Sequence, residues 1–406
     1  MDSALNPLAF LDEEVAALRS QHLYRGLRVL NSAQGPVVEI DGRRLVNLSS
    51  NDYLGLTHHP RLRKAALAAV EEFGVGSGAV RTIAGTLSMH EALEAELAEF
   101  KGVAAVLTFQ SGFTANTGLI PTITGEADLI VSDALNHASI IDGTRLSKAS
   151  RRVYPHADVA ALREVLVDAS SKGRPDTGEP YRLILVATDG VFSMDGDIAP
   201  LPAIVDVAES VGAAVLVDDA HGSGVLGRHG RGTVDHFGLH GRVDIQVGTL
   251  SKAVGSLGGY VAGPTALREI LTQRARPFLF STSHPPAVVA ACREALRVLQ
   301  EEPGLQTGLW ANTGRFKAEL ARLGFETGRS ETPITPVMMG DPETAMRFSD
   351  RLTAAGVFAQ PVVFPTVAMD KARVRTIVTA AHSDDHLDSA LDAFAEVGRE
   401  LGLIGS

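Results

Sequence analysis

The feature that most constrains the fold is a series of short, continuously apolar segments that alternate with amphipathic helical patterns. Segments that are apolar at nearly every position are typical of strands buried on both faces, as in a parallel sheet covered by helices. We therefore predict an α/β fold with a mostly parallel central sheet. The predicted strands are 104–109, 129–132, 183–188, 214–217, 243–247 and 260–262, and the helices between them include 88–100, 159–169 and 201–211.

The pattern changes after Pro285-Pro286, where longer helices and short strands replace the regular alternation. A chain of 406 residues is also longer than one core usually supports, which favours a division into domains. The chain opens with an amphipathic helix that we predict at 12–30. We predict three parts: an N-terminal helix and hairpin segment at 1–47, a large domain at 48–285, and a smaller C-terminal α+β domain at 286–406.

Composition argues against several classes of protein. The chain has 37 basic and 48 acidic residues, and a net charge of −11 disfavours binding to nucleic acid or to an acidic membrane. The single cysteine, Cys292, cannot form a disulfide within the chain. No apolar run reaches the roughly 20 residues that span a bilayer, and the N-terminus lacks the pattern of a signal peptide. We therefore expect a cytoplasmic protein without nucleic-acid or membrane partners.

Two motifs place charged groups at the ends of buried strands, where burial of a charge is costly. Lys252 ends the motif Thr-Leu-Ser-Lys just after the strand at 243–247. A buried lysine with a lowered pKa is suited to form a Schiff base with an aldehyde. Asp218 follows the strand at 214–217, with His221 three residues further on. A carboxylate there can pair with a protonated pyridine nitrogen, although a loop-rim lysine and an N-cap aspartate are the ordinary alternatives.

Two further motifs lie at the ends of earlier strands. The turn containing Ser111, Gly112 and Phe113 precedes a helix, and backbone N–H groups at a helix N-terminus bind phosphate. His137 follows the strand at 129–132 and is placed to stack on a planar cofactor. Each motif alone is also compatible with an ordinary helix start. Because ligands of open α/β sheets bind beyond the carboxyl ends of the strands, the four motifs together predict one site.

With these motifs the sequence resembles the α-oxoamine synthases, a family of enzymes that depend on pyridoxal 5′-phosphate (PLP). The resemblance runs from about residue 45 to near the C-terminus. It implies the fold-type I PLP-dependent transferase fold, with 48–285 as the PLP-binding domain. The motifs that carry it are NDYLGL at 51–56, GSGAVR at 76–81, GTLSMHEALE at 85–94, NHASIIDG at 136–143, TDGVFSMDGD at 188–197, VDDAHGSGVLG at 217–227 and TLSKAVGSLGG at 249–259.

The resemblance implies a role for each matching residue around the cofactor ring. Lys252 forms the Schiff base with PLP and moves the α-proton of the substrate. Asp218 pairs with the pyridine nitrogen, and His137 stacks on the ring. His221 and Ser193 contact the region of the phenolic oxygen.

The resemblance also implies how the phosphate and the substrate are held. Asn51 lies near the substrate, and Arg375 grips the carboxylate of the amino acid, for which an arginine fork is well suited. We assign no metal ligands. The active sites are shared across a homodimer, because the phosphate is completed from the second subunit. The implied phosphate ligands are Ser111, Gly112, Phe113 and Thr249 of one subunit and Ser281 or Thr282 of its partner.

The implied reaction joins an amino acid to an acyl-CoA and releases CoA. We predict a glycine C-acetyltransferase (2-amino-3-ketobutyrate CoA ligase), which condenses glycine with acetyl-CoA to 2-amino-3-oxobutyrate in threonine degradation. The stretch 274–281 looks like that enzyme. The stretch 363–367 lacks an arginine that 8-amino-7-oxononanoate synthases commonly carry.

Other activities stay open. The stretches 110–113 and 196–200 look more like 8-amino-7-oxononanoate synthase, which uses L-alanine and pimeloyl-CoA in biotin biosynthesis. A dual-specificity enzyme is therefore an alternative. A catalytically idle scaffold homologue and an aminotransferase are more remote, because the residues expected of an active PLP site are present.

Overall fold

The computed structural model describes residues 6–24 and 26–405. These residues form two compact units, which we call the large unit and the small unit. The large unit comprises residues 51–311 and 379–381, and the small unit comprises the residues up to 50, 312–378 and those from 382 onward.

The regular elements are numbered in chain order. The strands are β1 Val37–Ile40, β2 Arg43–Asn47, β3 Ala105–Phe109, β4 Asp128–Asp133, β5 Ser150–Tyr154, β6 Leu183–Asp189, β7 Ala214–Asp218, β8 Ile245–Thr249, β9 Gly259–Gly263, β10 Ile334–Gly340, β11 Val357–Phe358, β12 Pro361–Val362 and β13 Ala372–Ile377. The helices are α1 Phe10–Ser20, α2 Pro60–Phe73, α3 Ser88–Lys101, α4 Gly112–Ile123, α5 Ala138–Leu146, α6 Val159–Lys172, α7 Leu201–Ser210, α8 Thr233–His236, α9 Thr265–Arg274, α10 Arg276–Leu279, α11 Pro286–Glu301, α12 Gly304–Leu323, α13 Pro342–Ala354 and α14 Asp384–Glu400.

The large unit is built on a seven-stranded sheet in the order β3-β9-β8-β7-β6-β4-β5. Every neighbouring pair is parallel except those of β9, which runs antiparallel to β3 and β8. The mostly parallel sheet predicted from the apolar segments is thereby confirmed. The edge strand β5 was not predicted, because its residues are largely exposed and it therefore has no apolar run.

Helices cover both faces of this sheet, as expected for strands buried on both sides. Leu162, Leu166 and Ile204, from α6 and α7, pack with Leu129 and Val215 on one face. On the other face, α4, α5 and α9 supply apolar side chains that pack with the alternate residues of the same strands. Because the strands alternate their side chains between two apolar layers, each of them reads as a continuous apolar run.

The small unit contains two three-stranded sheets. In one sheet β2 lies between β1 and β11, and in the other β13 lies between β10 and β12. Its core includes Phe316, Phe348 and Phe394, whose rings contact one another or Phe325 edge to face.

This division differs from the predicted one at both ends of the large domain. The N-terminal hairpin belongs to the small unit, because β2 pairs with β11 over Val46 and Asn47. The predicted boundary at 285/286 lies instead at 311/312. The reason is that α11 packs against α2 and α3 of the large unit, so the two prolines mark the start of a helix there.

The first helix is shorter than predicted. It ends at Ser20, where His22 adopts a positive φ of 56° and the Leu23 N–H bonds the Leu18 carbonyl, a left-handed helix end. Leu23 is then buried against Ala345 and neighbouring apolar residues of the small unit. None of the helices in the described ranges combines the length and apolar character needed to cross a membrane.

Candidate active site

Six parallel strands of the large unit, β3 to β8, end at the same edge of the sheet. A cavity of about 220 Å³ lies beyond these carboxyl ends. The cavity brings together residues from all four sequence motifs. It is lined by Ser111, Gly112, Phe113, His137, Ser139, Asp189, Ser193, Asp218, Ala220, His221, Thr249, Ser251 and Lys252.

Asp218 ends β7 and is almost completely buried, with 4% of its surface exposed. Its Oδ2 accepts a hydrogen bond of 2.6 Å from Asn116 Nδ2, and its Oδ1 accepts one of 3.0 Å from the Ala220 N–H. Burial raises the pKa of Asp218, while the positive charge of Lys252 and the bond from Asn116 oppose this rise. A carboxylate held in this way favours a cationic partner in the cavity.

His137 is the N-cap residue of α5, and its ring lines the cavity. Its backbone N–H donates to Asp189 Oδ2 at 2.8 Å, which ties it to the end of β6. Its Nδ1 lies 2.8 Å from Ser139 Oγ. Burial lowers the pKa of His137, so the ring is neutral near pH 7.

The turn between β3 and α4 has the form expected of a phosphate site. The Ser111 side chain caps α4 by accepting from the Thr114 N–H at 3.1 Å, and Thr114 Oγ1 accepts from the Ser111 N–H. The N–H groups of Gly112 and Phe113 lie in the first helical turn, where intrahelical acceptors are lacking. A Cβ atom on Gly259 would lie 2.3 Å from the Ser111 carbonyl, so glycine is required where β9 passes this turn.

A buried tyrosine orients His221. Tyr53 Oη lies 2.6 Å from His221 Nδ1, and the two rings meet edge to face. Tyr53 is fully buried and belongs to the NDYLGL motif, in which only Asn51 was assigned to the site from the sequence. The contact gives that motif a role in fixing one wall of the cavity.

The loop that carries Ser193 is held by a histidine between two carboxylates. His156 Nε2 lies 2.8 Å from Asp197 Oδ2, and its Nδ1 lies 3.1 Å from Asp133 Oδ1. Burial disfavours the charged ring, but the two carboxylates outweigh it and raise the pKa of His156 to about 10. Since Asp133 precedes His137 and Asp197 follows Ser193, this imidazolium joins two segments that line the cavity.

Four residues assigned to the site do not line this cavity. Thr282 is exposed and its carbonyl accepts from Gln110 Nε2 at 2.8 Å, and Ser281 is half-buried. Asn51 is half-buried in the large unit, and Arg375 is half-buried on β13 of the small unit. The roles of these four residues stay predictions.

Several residues that shape the site were not predicted from the sequence. Asp189, at the end of β6, lines the cavity, and burial followed by the negative charge of Asp218 raises its pKa well above the ordinary value. Asn116 and Ser139 were also missed. The signal for Asp189 was present, because it ends a buried strand as Asp218 does, whereas Asn116 is one of several uncharged polar residues within a helix.

The residues present fit PLP. An amine on Lys252, a buried carboxylate on Asp218, the flat ring of His137 and the N–H groups at the start of α4 surround one cavity. These are the groups needed to hold an aldehyde, a protonated ring nitrogen, an aromatic face and a phosphate. The fold and this set of side chains define a PLP-dependent transferase of fold-type I.

Comparison with known proteins narrows this class. The model of the family "Aminotransferase class I and II" matches residues 43–394. Among solved structures, serine palmitoyltransferase from Sphingomonas wittichii is similar with a TM-score of 0.91, at 33% identity and over 100% of both chains. A structure of a lysine-to-alanine variant of serine palmitoyltransferase from S. paucimobilis with a bound PLP–myriocin aldimine is similar at 32% identity, over 99% of this chain and 100% of that chain, also with a TM-score of 0.91. The chain belongs to the aminotransferase class I and II family and, within it, to the PLP-dependent α-oxoamine synthases.

Curated relatives indicate which α-oxoamine synthases this chain is most similar to. The chain is 60% identical to the 8-amino-7-oxononanoate synthase of Symbiobacterium thermophilum, over 97% of this chain and 99% of that protein. It is 54% identical to 8-amino-7-oxononanoate synthase 1 of Bacillus subtilis, over 97% and 98% of the two chains. The predicted glycine C-acetyltransferase is therefore less well supported than the alternative, 8-amino-7-oxononanoate synthase, because the relatives carry the latter name.

Proposed function

We propose that this α-oxoamine synthase is an 8-amino-7-oxononanoate synthase acting in biotin biosynthesis. It joins L-alanine to pimeloyl-CoA, forming a bond between the α-carbon of alanine and the thioester carbonyl. The carbon–sulfur bond breaks and CoA leaves, and the alanine carboxylate is lost as carbon dioxide. The observation that carries the proposal is the similarity, over nearly the whole length, to proteins of this name at 52–60% identity.

The sequence feature that had favoured glycine and acetyl-CoA has a structural explanation. Within the stretch 274–281, Phe278 is buried in the core of the large unit and packs beside Phe109. No residue of this stretch lines the cavity. The likeness at Phe278 is therefore explained by packing in the core and does not by itself indicate the acyl donor.

The side chains of the cavity have distinct tasks in this reaction. When bound, PLP supplies the electron sink that stabilises negative charge on the α-carbon of the amino acid. Lys252 would hold the cofactor through its amine, and the free amine would take the α-proton of the amino acid and later return a proton to the same carbon. Asp218 keeps the ring nitrogen protonated, and His137 covers one face of the ring.

The substrate side rests on two further residues. In this proposal Arg375 binds the carboxylate of L-alanine through its guanidinium fork, and Asn51 contributes to the binding of the substrate. The chain works as a homodimer in which Ser281 or Thr282 of the partner completes the phosphate site. These assignments are supported by the family to which the chain belongs.

The experiment that tests the proposal measures CoA release by the PLP-loaded enzyme with two substrate pairs. We expect rapid release with L-alanine and pimeloyl-CoA and slow release with glycine and acetyl-CoA. The control is Lys252→Ala, which should lose both CoA release and the visible absorption band of lysine-bound PLP.

Each other outcome has a definite meaning. Release with glycine and acetyl-CoA alone would overturn the proposal in favour of the acetyltransferase. Comparable release with both pairs would establish a dual-specificity enzyme. A visible band without CoA release from either pair would contradict the proposed acyl transfer while leaving the PLP site intact.

A further inference from the structure

A buried amide behind the cavity connects two of its walls. Asn116 lies on α4 with 0% of its surface exposed. Its Nδ2 is 2.6 Å from Asp218 Oδ2 and 2.9 Å from Ser139 Oγ. A carboxylate only accepts hydrogen bonds, so the nitrogen and not the oxygen of the amide must face Asp218. The two hydrogens of one amide are thereby directed at Asp218 and Ser139.

The next link is the hydroxyl group of Ser139, which is 1% exposed in the first turn of α5. Because its oxygen accepts from Asn116, its single hydrogen is left to donate. The neighbouring acceptor is His137 Nδ1, 2.8 Å away. The Ser139 backbone N–H also points at this nitrogen, at 3.2 Å. With two donors directed at it, His137 Nδ1 carries a lone pair.

The consequence for His137 is a single tautomer. A neutral imidazole has one proton, and when Nδ1 accepts, that proton resides on Nε2. In the described part of the chain, Nε2 has no hydrogen-bond partner, whereas Nδ1 is fully engaged by α5. His137 therefore presents a fixed N–H donor on the edge of its ring away from α5.

We propose that Asn116 and Ser139 are positioning residues that couple Asp218 to His137 through one chain of hydrogen bonds. These hydrogen bonds favour the ionised form of Asp218, which pairs with the ring nitrogen of the cofactor. They also fix the Nε2–H tautomer of His137. This inference rests on the PLP role of Asp218 but not on the identity of the acyl donor.

The test compares Asn116→Ala and Ser139→Ala in the holoenzyme by two readouts other than turnover. The first is the 15N NMR signal of His137 Nδ1 in protein labelled at histidine, identified by its loss in His137→Gln. The second is the dissociation constant of PLP, followed through the visible band. Thr144→Val is the matched control, because Thr144 lies on the same helix, is buried, and has a hydroxyl without a hydrogen-bond partner among the described residues.

We expect an acceptor-type Nδ1 signal in the wild type and in Thr144→Val. In Ser139→Ala the signal should move toward a mixture of tautomers. Asn116→Ala should move it as well, although Asn116 does not bond His137, and should weaken PLP binding roughly tenfold or more through loss of a bond to a charged group.

An unchanged His137 signal in Asn116→Ala, with a helical spectrum like that of the wild type, would overturn the coupling. If Asn116→Ala does not fold, an unchanged signal in Ser139→Ala overturns the proposal instead. Both readouts are obtained without an acyl-CoA. Shifted signals therefore support the proposed chain of hydrogen bonds even if the enzyme lacks the proposed synthase activity.

Discussion

Replacing Lys101 by methionine is the sharpest test of how the turn that bears Asp218 is held. The Lys101 Nζ donates to Asp219 Oδ2 at 2.8 Å, to the Arg231 carbonyl at 2.6 Å and to Ser223 Oγ at 3.3 Å. Both members of the ion pair have 0% exposed side chains. Burial disfavours the charge on Lys101, but the attraction of Asp219 keeps its pKa above the ordinary value.

The expected loss of unfolding free energy depends on the charge of Asp219, which stays buried without its partner in Lys101→Met. Removing one partner of a buried ion pair usually costs about 3–5 kcal/mol, since the other charge stays buried. Thr233 and Ser223 still donate to Asp219, so the lower end applies, about 3 kcal/mol. With a urea dependence of roughly 3 kcal/mol per molar, the unfolding midpoint should fall by about 1 M.

The natural probe is Trp310, the single tryptophan of the chain. It lies in the large unit and its Nε1–H donates to the Val225 carbonyl at 3.0 Å, so its fluorescence reports unfolding of the unit that holds the ion pair. The matched control is Lys148→Met, which removes an ion pair to Glu126 with side chains 78% and 74% exposed. The control should not move the midpoint, because exposed pairs add little stability.

A second substitution should partly restore the stability that Lys101→Met loses. Adding Asp219→Asn to Lys101→Met removes the uncompensated charge, so the double variant should be more stable than Lys101→Met alone. If Lys101→Met unfolds at the same urea concentration as Lys148→Met, the buried pair does not hold this turn and the argument is refuted.

Two further predictions concern His156 and the subunit arrangement. The pKa of His156 is raised to about 10 in the folded chain, so its contribution to stability is complete below about pH 6.5 and is lost as the pH rises toward 10. Urea midpoints should therefore fall more over this range in the wild type than in His156→Gln, and parallel curves would contradict this. Co-expression of Lys252→Ala with the double variant Ser281→Ala/Thr282→Ala should restore about a quarter of wild-type CoA release, because half of the dimers are mixed and each has one intact site. Activity no higher than that of the separate variants would exclude shared sites.

The catalytic motifs were accessible from the sequence because each of them breaks a strong local pattern. Asp218 is the last residue of a buried, otherwise apolar strand, and Lys252 follows the end of another buried strand by three residues, where an ordinary sequence would place a solvated turn. Ser111 and Gly112 begin a helix immediately after such a strand. Local pattern and the rule that parallel strands end at one edge were sufficient to group them.

The supporting residues could not be found in that way. Asn116 and Asp218 are 102 residues apart, and neither position indicates the other as its partner. Lys101 reads as the ordinary basic end of a helix, yet it is fully buried against Asp219, 118 residues away. Such pairs form because of the way the helices pack on the sheet, and the local periodicity of the sequence does not predict that packing.

The domain boundaries show the same limit. Pro285-Pro286 marks a change of pattern, but α11 still packs on the large unit, because its apolar face matches α2 and α3. The N-terminal hairpin belongs to the small unit because β2 pairs with β11, which lies more than 300 residues later in the chain. A change in sequence pattern therefore locates the end of a helix or strand. The unit to which that helix or strand belongs depends on contacts with residues far away in the sequence.

The sequence by itself therefore determined the mostly parallel sheet, the edge at which the cavity lies and the four motifs that line it. These depend on burial and periodicity, which each segment expresses in its own residues. Only the tertiary structure decided which donors satisfy Asp218, which groups face His137 Nδ1 and how His156 joins two loops. These depend on hydrogen bonds between segments far apart in the chain, and their geometry exists only once the helices have packed on the sheet.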